Sequence, residues 1–501
     1  MEKRKQFFKY LYFILAAGLC LMLASRSSFL YPLNNWDDAN SYFSVGKGIF
    51  NGRMPYRDIF DQKGMYLYFF YGLCYLVSHT TFLGVFIMEI ILGALDIAGF
   101  YSIISLYGKK CIAFALAPVA FAATVCSRCF WWGGAAEEVC LPFYIWGLYL
   151  VTDYFKNKYP GEVMSFKTVF ISGILAGMVA NIKYTGLGFF FAWMMMVFFS
   201  YVAEKEFLKG IKACFVFLFG MFVPFVPWII YFGVQGALYE WYWGYVYINV
   251  FLYSKFDDTG AGLYDKVYNL AKVLYWRIIA NWQYFIFVIP GLMFTFFGKG
   301  KKLLQRLIGP VLFAFTFLGI FGGGREIPYY SLPLSAFAAF GTCLLAVILE
   351  KLLNTNSRTS QTVLTALCLA FSVAFVYTNS MNIPFMKVSK DDFFLFRFRD
   401  EVLQTEDPTL LNVGCLDAGL YTLCDIVPSC RWFQTQTLDI DEPENNPYME
   451  QERYVREGLV DYILVRDYIP EFIDDHYQLI DSEDYGWYGY DFTYYLYKKI
   501  Q

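Results

Sequence analysis

Histidine is nearly absent from this chain: His79 and His476 are the two in 501 residues. That leaves little scope for a histidine-built metal centre, and it argues against phosphoethanolamine-type transfer with its metal-rich outer domain. Charge is scarce as well. Asp, Glu, Lys and Arg make up 17% of the chain, against about 25% in an average soluble protein. A formal net charge of −3 suggests no nucleic-acid partner. No internal repeat of the kind that marks many transporters is visible. The twelve cysteines are scattered, mostly within apolar segments. Cys126 and Cys129 form a lone C-x-x-C without a second pair at zinc-ribbon spacing, and Cys415, Cys424 and Cys430 leave room for one disulfide near the C-terminus.

What the chain has in abundance is apolar and aromatic surface, 58% and 22% of its residues. Apolar runs cover 8–25, 64–78, 82–106, 111–126, 139–155, 168–182, 186–203, 213–234, 281–297, 307–321, 329–350 and 362–378. They are continuous rather than alternating, which points to helices and away from a β-barrel. The opening MEKRKQFFKYLYFILAAGLCLMLAS has the basic start and apolar core of a signal sequence, but its long apolar run and poor cleavage site read as an uncleaved first span. Short basic connectors decide the topology. MEKRK, GKK (108–110), KNKYPGEVMSFK (156–167), EKEFLKGIK (204–212), KGKKLLQR (299–306) and EKLLNTNSRTS (350–360) share one side only if segment 64–78 does not cross. That segment is the shortest and is rich in tyrosine, so it is expected to lie in the interface. The expected fold is an all-α polytopic membrane protein of about eleven spans with an interfacial helix and a cytoplasmic N-terminus.

The unusual charged stretches then share the extracytoplasmic face: 26–63, 127–138, 235–280, 322–328 and everything after about 379. Beyond residue 380 the composition turns acidic and punctuated. TLLNVGCLDAGLYTLCD reads as strand, turn and short helix, YVREGLVDYILVRDY as helix then strand, and YGWYGYDFTYYLYKK as strand-rich. A membrane domain over 1–380 and a small α/β extracytoplasmic domain over 381–501 are expected. The aromatic run of Tyr239, Trp241, Tyr242, Trp243, Tyr245 and Tyr247, ahead of Lys255, Asp257 and Asp258, reads as an interfacial belt, as do Trp131 and Trp132. The alternative for that run is a cover over a lipid tail or a sugar.

The stretch after the first span carries Asp37, Asp38, Asp58 and Asp61 together with Lys47, Arg53, Arg57 and Lys63. Basic residues on that face run against the topology bias. They are threaded with Tyr42, Phe43, Val45, Ile49, Phe50, Tyr56 and Phe60 and with the turn-forming Gly46, Gly48, Gly52 and Pro55. The loop therefore reads as folded onto the membrane surface, not as solvated ion pairs worth little each. Carboxylates can activate a hydroxyl or amine acceptor, and Lys or Arg can stabilise a departing phosphate. Both together at the rim of a bundle suit group transfer from a lipid phosphate.

The segment DANSYFSVGKGIFNGRMPYRDIFDQKG resembles the first outer loop of the GT-C glycosyltransferases, in the branch of the protein O-mannosyltransferases and lipid A aminoarabinose transferases. The shared pattern is an Asp, then GK, then G-x-PY-x-D, then an acidic residue shortly before KG or KP. The resemblance implies Asp38 as the catalytic Asp that orients or deprotonates the acceptor, with Asp37 its neighbour. It implies Lys63 as a ligand of the donor phosphate, Arg57 as its assistant, Asp58 and Asp61 as the motif's acidic positions, and 64–78 as the family's interfacial helix. FWWGGAAEEVCLPF offers Glu137 or Glu138 as the second acidic position of the catalytic site, orienting acceptor or donor, and the pair also reads as carboxylates favoured at a helix N-terminus. ANIKYTG puts Lys183 at the end of a span, where it snorkels or meets phosphate. GGGREIPYYSLPL resembles a late family segment, with Arg325 toward phosphate and Tyr329, followed by Tyr330, where His is common. The activity this resemblance implies is transfer of a sugar, with inversion, from a polyprenyl-phosphate-linked donor to a glycan, lipid or protein acceptor on the outer face.

No cofactor is demanded, although clustered carboxylates can bind a divalent cation. The alternative reading is a polytopic transporter or lipid flippase of envelope precursors, which Glu89 and Asp96 inside segment 82–106 favour. A non-enzymatic assembly protein is a third.

Overall fold

Each apolar run forms helix in the computed structural model, which describes residues 2–252, 262–298, 300–438, 440, 445–487 and 489–500. The expected charged run Lys255, Asp257 and Asp258 lies outside the described residues. Seven segments are long and apolar enough to cross a bilayer: Gln6–Ala24, Leu83–Ser105, Tyr184–Ala203, Phe207–Val234, Leu303–Phe321, Pro328–Leu352 and Arg358–Asn379. Lys110–Val125 and Phe166–Ala180 are shorter apolar helices. Ala136–Asn157 carries Glu137 and Glu138 in its first turn and Lys156 in its last. Trp282–Phe296 is bent by 116° from Tyr264–Ala280. These complete the apolar helices that the sequence led us to expect. Prolines 118, 142, 290 and 310 sit inside helices, which neighbouring helices in a membrane bundle tolerate.

Contacts divide the chain into two units. The first comprises Met1–Ser28, Phe86–Ile229 and Phe256–Ile383. One end of this bundle gathers the basic connectors. Lys109 lies 3.9 Å from Glu350, Lys156 donates to the Leu106 carbonyl, and Gln305 donates to the carbonyls of Phe155 and Tyr159 at 2.7 and 2.9 Å. The opposite end gathers residues 25–28, the turn around Trp131, Asn281 and the segment around Pro328. Trp131 and Trp132, expected in an interfacial belt, are instead buried. The Arg26 guanidinium lies 3.8 Å over the Trp132 ring and donates to Asn382 Oδ1 at 2.9 Å.

The second unit comprises Phe29–Val85, Ile230–Lys255 and Pro384–Gln501. Its first loop contains a 14-residue helix, Asp37–Phe50, followed by an 11-residue helix, Met65–Tyr75. At about 1.5 Å per residue the latter is some 16 Å long, too short to cross a core of about 30 Å. Gly46, a turn signal in the sequence, lies mid-helix. A Cβ there would stand 2.5 Å from the Gly72 nitrogen and 2.7 Å from the Tyr68 carbonyl oxygen. Glycine is therefore needed for close approach of the two helices, not for a turn. The C-terminal part forms a sheet of β1 (Leu410–Val413), β2 (Tyr462–Arg466), β3 (Tyr477–Trp487) and β4 (Tyr490–Lys499) in the order β1-β2-β4-β3. β1 and β2 run parallel, with Leu410 opposite Tyr462, and the other pairs are antiparallel. Cys415, Cys424 and Cys430 are unbridged.

The 235–280 region, expected as a loop, is largely helical. Tyr242–Leu252 forms a π-helix and Leu263–Ala280 an α-helix. The latter stretch holds no glycine or proline to interrupt it. The aromatic run divides. Trp243 and Tyr245 are buried, whereas Tyr239 and Tyr242 are exposed.

The helix Asp37–Phe50 is bound to the C-terminal part of its unit by buried polar groups. Ser41 donates to Gln434 Oε1 and Ser44 to Asp417 Oδ2, both at 2.6 Å, and Thr422 donates to Asn40 Oδ1 at 2.9 Å. Burial pushes the Asp417 carboxyl up to about 6, against the hydrogen bonds from Ser44 and from the Gly419 N–H. In the unfolded chain it titrates near its ordinary value of 3.8. Between those values the folded state holds the extra proton, so stability falls as pH rises from about 4 to about 6, by an amount on the order of 3 kcal/mol. Thermal unfolding followed across this window is expected to show that decline in the wild type and a flatter profile in Asp417→Asn.

Candidate functional site

The first loop of the second unit concentrates the motif residues. Asp37 and Asp38 open the helix Asp37–Phe50, where the helix dipole favours negative charge, and each is only 9% exposed. Asp37 Oδ2 accepts a 2.8 Å hydrogen bond from Arg466 Nη1 at the end of β2. Burial raises the Asp37 carboxyl and Arg466 opposes that rise. Asp61 is buried and accepts from the Tyr68 hydroxyl at 2.7 Å. That hydroxyl accepts in turn from the Lys63 N–H at 2.7 Å, while the Tyr56 hydroxyl donates to the Lys63 carbonyl at 2.6 Å. Two tyrosines thus fix the backbone of Lys63, whose ammonium lies 5.7 Å from the Tyr42 ring centroid. Burial raises the Asp61 carboxyl, Lys63 lowers it and Asp38 raises it. Asp61 therefore stands in the fields of both Asp38 and Lys63.

Arg57 and Asp58 do something else. The exposed guanidinium of Arg57 grips its neighbour at 2.8 and 3.1 Å, which holds the Asp58 carboxyl below its ordinary value. Asp58 Oδ2 also accepts from the Met54 N–H at 2.8 Å, closing the turn that contains Tyr56 at φ +67°. The loop is backed by the aromatic segment. Phe60 packs 4.5 Å from Trp432 and 5.8 Å from Trp243, and Asn249 donates to the Gln62 carbonyl at 2.7 Å.

In the bundle unit a second set gathers at the end away from the basic connectors. Glu137 and Glu138 are buried at the start of the helix Ala136–Asn157. Glu137 is ion-paired with Lys183, and Glu138 Oε2 accepts from the Gly134 N–H at 2.8 Å. The Lys183 ammonium sits over the rings of Tyr330 and Tyr329, 3.4 and 5.5 Å from their centroids. Such cation–π contacts hold a cation at an aromatic wall. Tyr329 and Tyr330 open the 3-10 segment Pro328–Phe337. Arg325 is half-buried just before it. Asn281, at the bend, accepts from the Cys129 N–H at 2.8 Å and donates to Ser331 Oγ at 3.4 Å, joining the loop before Glu137 to the segment after Arg325. Glu89 accepts from the Ser25 hydroxyl at 2.8 and 2.9 Å.

No protein-family model matches the chain, and no curated protein sequence does. Solved structures do. ArnT from Cupriavidus metallidurans bound to undecaprenyl phosphate superposes with a TM-score of 0.60 at 11% identity, over 97% of this chain and 98% of that one. Its apo state gives 0.59 at 10% identity, over 100% and 99%. The archaeal oligosaccharyltransferase AglB from Archaeoglobus fulgidus, in complex with an inhibitory peptide and a dolichol-phosphate, gives 0.50 at 12% identity, over 92% and 69%. The chain has the GT-C fold.

Within this GT-C fold, sequence reasoning missed Arg466 and Tyr68. Arg466 is a lone basic residue closing an apolar strand, and only the sheet brings it to Asp37. Tyr68 was absorbed into the tyrosine-rich interfacial segment, although it stands in the first turn of the helix Met65–Tyr75, just after Lys63. No group of three or more His, Cys, Asp or Glu side chains that could hold a metal ion occurs among the described residues. The first-loop carboxylates other than Asp38 are directed at Arg466, Arg57 and Tyr68. Among the described residues they do not form a donor set that fits a cation.

Proposed function

We propose that this GT-C protein is a membrane glycosyltransferase that moves a sugar from a polyprenyl-phosphate carrier to an acceptor on the extracytoplasmic face. The observation that carries this reading is the build of the first loop, where Asp38 stands in the first turn of the helix Asp37–Phe50, Asp61 is buried against the Tyr68 hydroxyl, and Tyr68 and Tyr56 hold the backbone of Lys63. It is supported by the solved structures of like fold, of which one holds undecaprenyl phosphate and another a dolichol-phosphate and a peptide.

In the proposed reaction an acceptor hydroxyl attacks the anomeric carbon, forming the new glycosidic bond as the bond from that carbon to the phosphate oxygen breaks. Asp38 takes or directs the hydroxyl proton. The lipid phosphate leaves with the electron pair, and Lys63 stabilises its charge. Lys183 and Arg325 are proposed as further phosphate ligands, with Glu137 setting the position of Lys183 and Glu138 fixing the turn before it. Asp37, held by Arg466, positions the helix that bears Asp38. Arg57 and Asp58 shape the loop from its exposed side. Residues 384–501 of the second unit are proposed to lie outside the membrane.

The test is transfer from radiolabelled undecaprenyl-phosphate sugars by the purified full-length protein to envelope glycans, lipids and proteins. Label is expected to leave the carrier and appear covalently in an acceptor. Absence of both transfer and carrier binding across the donor panel would overturn the proposal. Lys63→Met is expected to raise the donor KM by about tenfold or more, as loss of one charge-assisted phosphate contact predicts. The bend at Asn281 favours transport as a second reading, because broken helices recur in transporters. That reading predicts labelled carrier crossing the bilayer of a proteoliposome with its sugar bond intact.

A further inference from the structure

The second unit holds a cleft of about 620 Å³ that plays no part in the chemistry above. It opens at the carboxyl ends of the parallel pair β1 and β2, beside the helix Pro447–Arg456. In α/β sheets this is where ligands bind. Both strands leave the sheet through left-handed residues. Gly414 follows β1 at φ +78° and Asp467 follows β2 at φ +59°. A Cβ on Gly414 would collide with the Arg466 carbonyl oxygen, so glycine alone fits. Asp467 takes a left-handed conformation that Asp tolerates better than most side chains. Its conformation is held by hydrogen bonds with Thr493 in both directions, at 3.0 and 2.8 Å. The effect is to present Tyr468 and Glu471 at the rim.

The cleft's back wall is fully bonded. The Gly414 N–H donates to Thr435 Oγ1 at 2.9 Å, Thr435 donates to Gln451 Oε1 at 2.6 Å, and Gln451 donates to the carbonyls of Asn412 and Trp432 at 2.9 Å. Such a wall is rigid and has nothing left to offer a strong ionic ligand. The open side carries two aromatic rings, Tyr448 and Tyr468, 50% and 64% exposed, and two carboxylates, Glu452 and Glu471. Among the described residues neither Lys nor Arg lines the cleft, and the neighbouring Arg456 is spent on one oxygen of Glu452, Oε1, at 2.6 Å, which disfavours phosphate, sulfate and anionic lipid. Aromatic faces with hydrogen-bond acceptors beside them match a ligand with an apolar ring face and a rim of hydroxyl donors. The volume falls within the usual range for small-ligand sites.

We propose that this cleft binds an uncharged saccharide of two or three sugar units, stacked on Tyr448 and Tyr468 with its hydroxyls donating to Glu452 and Glu471. The binding site stands whether or not the protein transfers sugar. That the bound glycan is the acceptor rests on the transfer reading above.

The experiment is saturation-transfer NMR on the full-length protein in detergent, with cellobiose, maltotriose and N,N′-diacetylchitobiose as probes and a sulfated disaccharide as the anionic control. Binding of undecaprenyl phosphate is measured in parallel. At least one neutral probe is expected to bind, and the sulfated one is not. Tyr468→Ala is expected to weaken binding by about tenfold, the worth of one aromatic contact. Glu471→Gln is expected to act in the same direction, and both leave carrier binding at wild-type level. Both residues are exposed, so these variants keep the fold. Failure of every neutral probe to bind at millimolar concentration, binding unchanged in a Tyr448→Ala/Tyr468→Ala variant, or equal binding of the sulfated probe would each overturn the cleft assignment. Loss of transfer with saccharide binding intact would count against the transfer reading and leave the cleft standing.

Discussion

Asp38→Asn is expected to lower sugar transfer by about 10²- to 10⁴-fold, the range that a positioned general base supplies, while carrier binding stays close to wild type. The substitution keeps the shape of the side chain and removes its ability to take a proton. Asp38 lies in the first turn of a helix, and removing a charge that the dipole favours costs about 0.3–1 kcal/mol, too little to unfold the unit. A large loss of rate therefore reports chemistry. Asp37→Asn is the internal control. Its carboxylate is occupied by Arg466 at 2.8 Å, so its replacement should act mainly on the melting temperature and less on the rate. The measurement is initial rate and carrier affinity for both variants under one set of conditions. Equal transfer by wild type and Asp38→Asn would remove Asp38 from the mechanism. The reverse ordering, with Asp37→Asn the slower enzyme, would move the base one residue along the helix.

How much of this was legible in the sequence depended on whether a residue's partner was near it along the chain. The apolar helices could be read because hydrophobic length is a local property, and the non-crossing segment because a single charge-bias argument left one consistent topology. The C-terminal strand and helix pattern followed from periodicity and held in the same order. Gly46 and Gly48 misled because a glycine needed for close packing and one needed for a turn are the same letter. The helix over Leu263–Ala280 was hidden by its aromatic content, which reads as interface. Asp38, Asp61 and Lys63 could be listed together from their motif, but Tyr68 and Arg466 could not be given roles without coordinates. Arg466 lies more than four hundred residues from Asp37, at the end of a strand whose position is set by its pairing with β1 and β4. Trp131 and Trp132 were assigned to the lipid interface because belt tryptophans and buried ones share a composition. The cation of Arg26 over Trp132 has no local signal at all.

The second large effect is on stability. Lys47→Met is expected to destabilise the unit by about 3–5 kcal/mol, the cost of disrupting a buried charged group's contacts. Lys47 lies in the same helix as Asp38, and its side chain is 0% exposed. Its ammonium donates to the carbonyls of Tyr421 and Ile426 at 2.8 and 3.3 Å and lies 3.2 Å from Asp425 Oδ1. Burial lowers its pKa, with Asp425 the main opposing influence. Methionine fills a similar volume, so no cavity is created, but two buried carbonyls lose their donor at about 1–3 kcal/mol each. Asp425 loses less, because it is about one-third exposed and keeps His79 at 3.2 Å. For a body of roughly 200 residues each 1 kcal/mol moves the midpoint by about 2–4 °C, so a fall near 10 °C is expected in a thermal scan of the purified protein. Asp425→Asn should cost far less, since Lys47 keeps both carbonyls. If Asp425→Asn were as damaging as Lys47→Met, the ion pair and not the carbonyl contacts would hold this helix. If both were neutral, the helix would be fixed instead by the Ser41, Ser44 and Asn40 hydrogen bonds. The same ordering should appear in transfer activity, because a helix that loses its buried lysine also loses the fixed position of the carboxylate at its first turn.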